Sequence, residues 1–411
     1  MSPFAPSLLP ASVIERRLEA WLTRLRESGC AAFAVELWNG HRVALDQAAR
    51  VTIRLRTPRA LAALWSPDLA RIGEAYVEGV IDVIGHPLDA IEAAARLSDA
   101  AGGTGTRQSR PRRHTRAQDS SDIQYHYDVS NDFYRAWLDP EMVYSCAYFR
   151  RDSDRLATAQ IQKLDHILTK LRVRPGERLL DIGCGWGALI VRAARDYGAR
   201  CTGITLSQNQ YDLARERIRE AGVEDRCEVR LMDYRDLSGR FDKITSVGMF
   251  EHVGLKQLPA YFRTLHALLD EGGIAMNHGI TSADPDSGET PLGGGRFIDR
   301  YVFPNGELPH LSLVIREMSA AGLEVQDVES LRRHYALTLR HWIERFEAAG
   351  PRLREMVGDK RHRIWRAYLA GCAFGFSQGW MGLHQIVATR RNDPVAEHDY
   401  PLTREHIYGA R

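Results

Sequence analysis

The chain has 411 residues, 44% of them hydrophobic, which leaves room for more than one domain and fits an ordinary globular composition. Its 55 Lys and Arg nearly balance 53 Asp and Glu, so net charge excludes a nucleic-acid binder held by bulk electrostatics alone. No apolar run is long enough to cross a bilayer, and the first residues lack the basic start and apolar core of a signal peptide. The six cysteines, Cys30, Cys146, Cys184, Cys201, Cys227 and Cys372, form no CxxC pair. That argues against a disulfide framework or a zinc site, so no metal and a reducing cytoplasm are expected.

The chain begins with SVIERRLEAWLTRL, where Val13, Ile14, Leu18, Trp21, Leu22 and Leu25 recur at helical spacing. AFAVELWNGHRVAL predicts two strands around the turn pair Asn39-Gly40, and VTIRLR predicts a third. PRALAALW and LARIGEAYVEGV have helical character. Residues 1–100 thus read as a small α+β domain. Composition then shifts to Gly, Ser and Arg, and residues 101–120 read as a flexible basic linker carrying Arg107, Arg110, Arg112, Arg113, His114 and Arg116. Such a run is either simply solvated or drawn to anionic lipid headgroups, at ~1 kcal/mol per basic residue.

Residues 121–411 are expected to form the larger domain. From Arg178 the strands RLLDIG, CTGITL, CEVRLMD, FDKITSV and GIAMNHGIT are interleaved with the helical stretches ALIVRAARDYG, QNQYDLARERIREAG and QLPAYFRTLHALLDEGG. This alternation predicts a mostly parallel sheet with helices on both faces. From Asp284 onward, loops mix with helical stretches such as TLRHWIERFEAA and RIWRAYLAGCAFGFS, read as an elaboration over the sheet's C-terminal edge, where ligands bind in such folds.

The stretch LLDIGCGWGAL joins the first of these strands to its helix. Gly183, Gly185 and Ala188 satisfy a dinucleotide fingerprint. That use wants an acid at the end of the next strand for the ribose, but this strand ends Thr205-Leu206-Ser207. Asp181 before the turn and Gly187 within it make the pattern DxGxGxG, which favours S-adenosylmethionine over a nicotinamide. The adenine contact then falls at Asp233, Tyr234 and Arg235. A tight turn without a ligand is the plain alternative.

TLSQNQ in that slot, preceded by YHYDVSNDFYRAWLDPEMVYSCAYF, resembles the cyclopropane-fatty-acyl-phospholipid synthase family, related to the mycolic acid cyclopropane synthases. The likeness continues through DYRDL, SVGMFEHVG, NHGI, FIDRYVFPNGELPH, HYALTLRHWIERF and YLAGCAFGF, from about Tyr125 to the end, and more loosely through IGEAYVEGVIDVIG. It implies a class I S-adenosylmethionine-dependent methyltransferase, a Rossmann-like α/β fold with a small N-terminal α+β domain. The implied reaction moves a methylene from S-adenosylmethionine to the cis double bond of a phospholipid acyl chain, giving a cyclopropane fatty acid.

An alkene is a weak nucleophile, so it must be held dry and aligned against the sulfonium methyl. The resulting carbocation must lose a proton, and aromatic faces can stabilise it. The resemblance implies bound bicarbonate as the base, held by Cys146, Glu251, His278, Ile280 and Tyr335, with Cys372 as a secondary site residue. Donors on His278 and Tyr335 suit an anion, and Glu251 can receive bicarbonate's proton in effect. The cofactor set carried over is Tyr144 and Ser145 at the methionine end, Gly183, Gly185 and Trp186 in the turn, Thr205, Leu206 and Gln210 at the ribose, and Tyr234 and Arg235 at the adenine. The resemblance further implies a homodimer that visits the inner face of the cell membrane peripherally, docking through the small domain, the N-terminal helix and the basic linker. Competing readings are a methyl- or methylene-branched product from the same cation, methylation of a small amine or alcohol, and a non-catalytic lipid-binding relic.

Overall fold

The computed structural model describes residues 11–27, 33–44, 49–65, 68–100, 129–286, 290–304 and 306–409. The expected basic linker, Cys30 and Tyr125 lie outside the described residues, as do the side chains of Val13 and Ile14.

The chain forms two compact units. One comprises residues 1–109, 290–302 and 354–374, and the other residues 110–289, 303–353 and 375–411. The first contains a four-stranded sheet, β1 (Phe33–Glu36), β2 (Arg42–Ala44), β3 (Val51–Leu55) and β4 (Ile81–Ile84), in the order β2-β1-β3-β4. β1 and β2 pair antiparallel across Asn39-Gly40, as the turn pair predicts. β3 lies parallel to β1, and β4, not expected from the sequence, closes the edge. The helix Ala11–Glu27 buries Leu18, Leu22 and Leu25, one stripe at spacings of four and three.

Two stretches far along the chain complete this unit. Phe297, on the helix Gly294–Tyr301, lies over Gly73, where a β-carbon would come within 2.7 Å of its ring. Arg363 reaches Asp82 at 2.7 Å and the Tyr76 carbonyl at 3.0 Å. The sequence reading assigns both stretches to the larger domain. Their grouping here rests on such tertiary pairings, which no local pattern reveals.

The second unit is built on a seven-stranded sheet, β10-β11-β9-β8-β5-β6-β7. Its strands are β5 (Arg178–Ile182), β6 (Arg200–Thr205), β7 (Cys227–Leu231), β8 (Phe241–Val247), β9 (Leu269–Ser282), β10 (Leu323–Ser330) and β11 (Met381–Arg390). β5 to β9 pair parallel, while β11 pairs antiparallel with both β9 and β10. This antiparallel edge goes beyond what the sequence pattern predicts. Adjacent Leu179 and Leu180 point into different cores, as the two-residue period of a strand requires. Leu179 packs with Leu164, Ile190 and Ile218 from one layer of helices, and Leu180 with Phe262, Leu265 and Val314 from the other. With helices on both faces this is the Rossmann-like α/β arrangement expected.

The chain leaves β5 for β6 and β7 on one side and returns to β8 on the other. The order reverses between β5 and β8, and a crevice opens there at the carboxyl ends of the strands.

Candidate active site

A cavity occupies that crevice. After β5 the turn is held by Gly183 and Cys184, whose N–H groups both donate to the Ile204 carbonyl on β6, at 3.0 and 2.9 Å. Gly183 sits at φ 80°, and a β-carbon there would come within 3.3 Å of Met249. A side chain would therefore be both strained and crowded. The helix Ala188–Tyr197 then starts, its first N–H groups facing the crevice end of the sheet.

Every cofactor residue proposed from the sequence except Gly187 lines the cavity. Asp181, Gly183, Gly185 and Trp186 come from β5 and its turn. Thr205, Leu206 and Gln210 come from the end of β6, and Asp233, Tyr234 and Arg235 follow β7. Tyr144 and Ser145 arrive from the irregular segment before the sheet. Gly187 is set back and packs beneath the turn, where its β-carbon position lies 3.1 Å from Ala214. It serves the helix packing rather than the cavity wall.

The wall's polar groups are braced in place. Trp186 Nε1 donates to Asn131 Oδ1 at 2.8 Å, and its ring meets Tyr134 at 5.0 Å. Thr205 Oγ1 donates to Gln210 Oε1 at 2.7 Å and accepts from the Ser207 N–H at 3.1 Å. The acid absent from this strand end is thus replaced by a neutral, hydrogen-bonded pair. Asp233 is taken by Arg235, at 2.6 Å, and cannot serve as a free acid for a ribose. Burial lifts the Asp181 carboxyl to about 6, against the pull of the Thr245 hydroxyl that donates to it at 2.6 Å.

Glu251, His278, Cys146, Ile280 and Tyr335 do not line this cavity, though Cys146 adjoins Ser145 and Glu251 lies two residues from Met249, both of which do. The structure links four of the five, all but His278, through one chain of contacts. Gly279 on β9 has no side chain, and the Phe250 ring lies where a β-carbon would be, 1.7 Å from that position. The turn Phe250–His252 therefore seats directly on β9, and Glu251 Oε1 accepts the Ile280 N–H at 2.6 Å. Ile280 pairs with Leu383 on β11, whose carbonyl accepts the Leu331 N–H at 2.8 Å. The Leu331 carbonyl accepts from the Tyr335 N–H at 3.0 Å and from Cys146 Sγ at 3.8 Å.

Several polar atoms in this cluster are buried without a partner among the described residues: Glu251 Oε2, His278 Nε2 and Gln385 Oε1. Burial lifts the Glu251 carboxyl to about 7, against the pull of the Ile280 N–H. Burial pushes His278 well below its usual range, so its imidazole is neutral. Gln385 Nε2 lies 3.1 Å from His278 Nδ1. With the amide as donor, the imidazole hydrogen sits on the unpartnered Nε2. Burial raises the Cys146 thiol far from ionisation, so it acts as a small neutral group. Tyr335 packs edge-on to Trp342, with ring centroids 6.0 Å apart, and tilts onto Phe376 at 4.6 Å.

Cys372 belongs to the other compact unit. Desolvation pushes its thiol up to about 12, so no thiolate forms near neutral pH.

Sequence reasoning passes over three participants. Lys163 lines the cavity and is buried. It lies four residues from both Ala159 and Ile167 on the buried side of its helix, and that spacing is the available signal. Gln385 orients His278 from an antiparallel strand that the sequence pattern does not reveal. Asn131, which holds Trp186, sits in the N-terminal half of a helix of only five residues, Asn131–Arg135.

The profile of a family described as mycolic acid cyclopropane synthetase matches residues 114–386, and one described as a domain of unknown function matches residues 20–102. A probable fatty acid methyltransferase from Pseudomonas putida is 48% identical over 379 residues, which cover 91% of this chain and 95% of the relative. The cyclopropane-fatty-acyl-phospholipid synthase of Escherichia coli is 40% identical over 265 residues, covering 64% of this chain and 66% of that protein. Among solved structures, mycolic acid cyclopropane synthase CmaA1 complexed with SAH and CTAB superposes with a TM-score of 0.63 at 36% identity, covering 66% of this chain and 97% of the other.

Proposed function

The chain belongs to the mycolic acid cyclopropane synthetase family, and from that premise we propose that it is an S-adenosylmethionine-dependent methyltransferase acting on the double bond of an unsaturated fatty acyl chain. The observation that carries this reading is a buried, proton-poised carboxyl next to the cavity wall: Glu251, adjacent in the chain to the wall residue His252, lifted to about 7 and clamped to Ile280. A methylated amine can shed its proton to water without a dedicated buried base. A methylated alkene must lose a proton.

The cavity suits an adenosyl amino acid. Its wall offers a glycine turn that side chains would fill, a neutral hydroxyl–amide pair at the strand end, and an aromatic ring at Tyr234. The cofactor would be held by Tyr144, Ser145, Asp181, Gly183, Gly185, Trp186, Thr205, Leu206, Gln210, Tyr234 and Arg235, and would supply an electrophilic sulfonium methyl. Tyr335, packed against Trp342 and Phe376, would offer a carbocation on the acyl chain aromatic neighbours and help exclude water. Glu251 then takes up the proton. If that proton leaves the new methyl directly, the ring closes. If a hydride shift comes first, a methylene branch results. The name carried by the Pseudomonas putida relative favours the branched, acyclic product.

Ring closure is the second reading, favoured by the unpartnered His278 Nε2 beside Glu251's own cluster. A donor and a carboxyl left unpaired suit a small oxyanion. Bicarbonate, held by Cys146, Glu251, His278, Ile280 and Tyr335, would supply a proton-accepting oxygen there. On the strength of the resemblance alone, a homodimer takes its substrate from a phospholipid at the inner face of the cell membrane. No described helix is long and apolar enough to cross a membrane.

The test is a product analysis. The purified protein is incubated with S-adenosylmethionine and vesicles of cis-monounsaturated phospholipid, with and without bicarbonate, and the released fatty acids are identified by gas chromatography and mass spectrometry. A methylene-branched chain, or a methyl-branched chain that keeps its unsaturation, supports the main reading. A cyclopropane that disappears without bicarbonate moves the assignment to ring closure. Failure to modify any unsaturated acyl chain, despite cofactor binding, overturns both.

A further inference from the structure

Three lysines are buried in the second unit, and two of them are paired. Lys170 meets Glu329 at 2.5 Å and Asp327 at 4.0 Å. Lys243 meets Glu177 at 3.6 Å. Lys163, on the same helix as Lys170 and seven residues before it, is 2% exposed and is the exception. Its Nζ donates to Ser145 Oγ at 3.1 Å, and among the described residues no carboxylate lies within pairing distance. The acids near enough to feel its charge are Asp139, Asp181 and the un-ionised thiol of Cys146. Asp139 is already engaged, accepting the Glu141 and Val143 N–H groups at 3.0 and 2.9 Å. The neutral ring of His278 lies near enough to feel Lys163 as well.

Burying an ammonium with no carboxylate in direct contact is costly, and a ligand that brings a negative charge to it offsets that cost. Burial lowers Lys163 to about 8, still charged at neutral pH. It faces the cavity beside Ser145 and Tyr144, and Asp181, of opposite sign, lines the same cavity. A positive and a negative group in one pocket wall match a zwitterion.

We propose that Lys163 is the counter-ion for the α-carboxylate of the cofactor's amino-acid tail, with Asp181 taking the α-ammonium. The inference rests on the S-adenosylmethionine reading above. It assigns the recognition of one ligand group to one side chain. Ser145, held by Lys163, fixes the ammonium's position and adds a hydroxyl to the same subsite.

Decarboxylated S-adenosylmethionine is the decisive probe, since it keeps the sulfonium, the adenosine and the ammonium but lacks the carboxylate. Calorimetry on the full chain compares it with S-adenosylmethionine and with 5′-methylthioadenosine, which lacks the whole amino-acid tail. The wild type is expected to prefer S-adenosylmethionine over the decarboxylated form by about 10- to 100-fold, the range for a charge-assisted hydrogen bond. Lys163→Met is expected to lose that preference while binding the decarboxylated form as well as before. Lys163→Arg is expected to recover part of it.

Equal wild-type affinity for the two cofactors overturns the proposal without any variant being needed. So does a Lys163→Met protein that weakens both ligands equally, the result of a purely structural tie to Ser145. Failure of the wild type to bind any of the three compounds overturns the cofactor reading itself, and this inference with it.

Discussion

Around the crevice over β5 and β6, most polar side chains answer one another. Thr205 bonds to Gln210, Asp233 to Arg235, and Trp186 to Asn131. In the cluster around Glu251 the pairing is incomplete: Gln385 Nε2 meets His278 Nδ1, but Glu251 Oε2, His278 Nε2 and Gln385 Oε1 are buried and unpartnered among the described residues. A pocket that must bind one ligand repeatedly gains from groups fixed before the ligand arrives. A site that must accept a proton gains from groups whose charge state is undecided near neutral pH, which is what desolvation does to Glu251. On the proposed reading, recognition and proton handling are divided between two adjacent regions, and variants can separate them.

The largest effect is expected from Glu251→Gln. It keeps the shape and a hydrogen-bond acceptor for Ile280 but removes the titrating carboxyl. Turnover should fall about 10²- to 10⁴-fold, the usual range for a proton-transfer group, while the calorimetric affinity for S-adenosylmethionine stays within about 2-fold. An equal loss in both would merge the two regions into one site. The wild-type rate should also rise with pH through about 7 as Glu251 ionises, and the residual rate of the Glu251→Gln protein should lack that limb. Stability runs the other way. With its carboxyl raised in the folded state, Glu251 favours folding fully only below about 4.5 and loses that contribution as pH passes through about 7. The variant should therefore be no less stable than wild type at pH 8, which separates lost chemistry from lost folding.

Gly183→Ala strikes the other region. The left-handed backbone at φ 80° and the contact with Met249 oblige the turn to shift. A cost of roughly 1–2 kcal/mol for an L-residue in that conformation corresponds to cofactor affinity weakened about 5- to 30-fold. Turnover at saturating cofactor should change far less. A collapse of saturated turnover would mean that the turn also aligns the acyl chain.

How much of each region is legible in the sequence follows from how local its construction is. The turn Gly183–Trp186 announces itself because its backbone demands glycine at fixed positions within one short stretch. The hairpin at Asn39-Gly40 is legible for the same reason. The Glu251 cluster can be named only through resemblance to a family, since its members come from four separate stretches joined through β9 and β11. That edge of the sheet resists reading for physical reasons. β11 is buried almost continuously and so does not alternate, and the period of β10 is broken by a register shift between Val325 and Asp327. Lys163 escapes notice because a lysine on an amphipathic helix is usually solvated.

A partly buried carboxyl elsewhere in the same unit gives the comparison a fully partnered control. Glu329 accepts from His166 at 2.7 Å, Lys170 at 2.5 Å and the Tyr408 hydroxyl at 3.0 Å. Burial pushes its carboxyl up, but His166 and Lys170 outweigh that and hold it at about 2. A depressed carboxyl stabilises the fold above about 4.5 and loses that contribution as pH falls toward about 2. Acid unfolding followed by circular dichroism should therefore depend less steeply on pH in Glu329→Gln than in wild type across that window. Identical slopes would mean that the ion pairs persist in the unfolded chain or contribute nothing.

The smallest effect is expected from Cys372→Ser, and its smallness carries information. Cys372 shares a resemblance with the site residues but belongs to the unit built around β1 to β4. Its thiol, pushed up to about 12 by desolvation, is protonated near neutral pH. Alkene methylation has no step for a neutral thiol, so turnover and cofactor affinity should both stay within about 2-fold, as for a substitution remote from the interactions being measured. A fall comparable to that of Glu251→Gln would require this half-buried side chain to reach the reacting atoms. The division between a recognising wall and a proton-accepting cluster would then be incomplete, because part of the chemistry would have to come from the unit that contains neither.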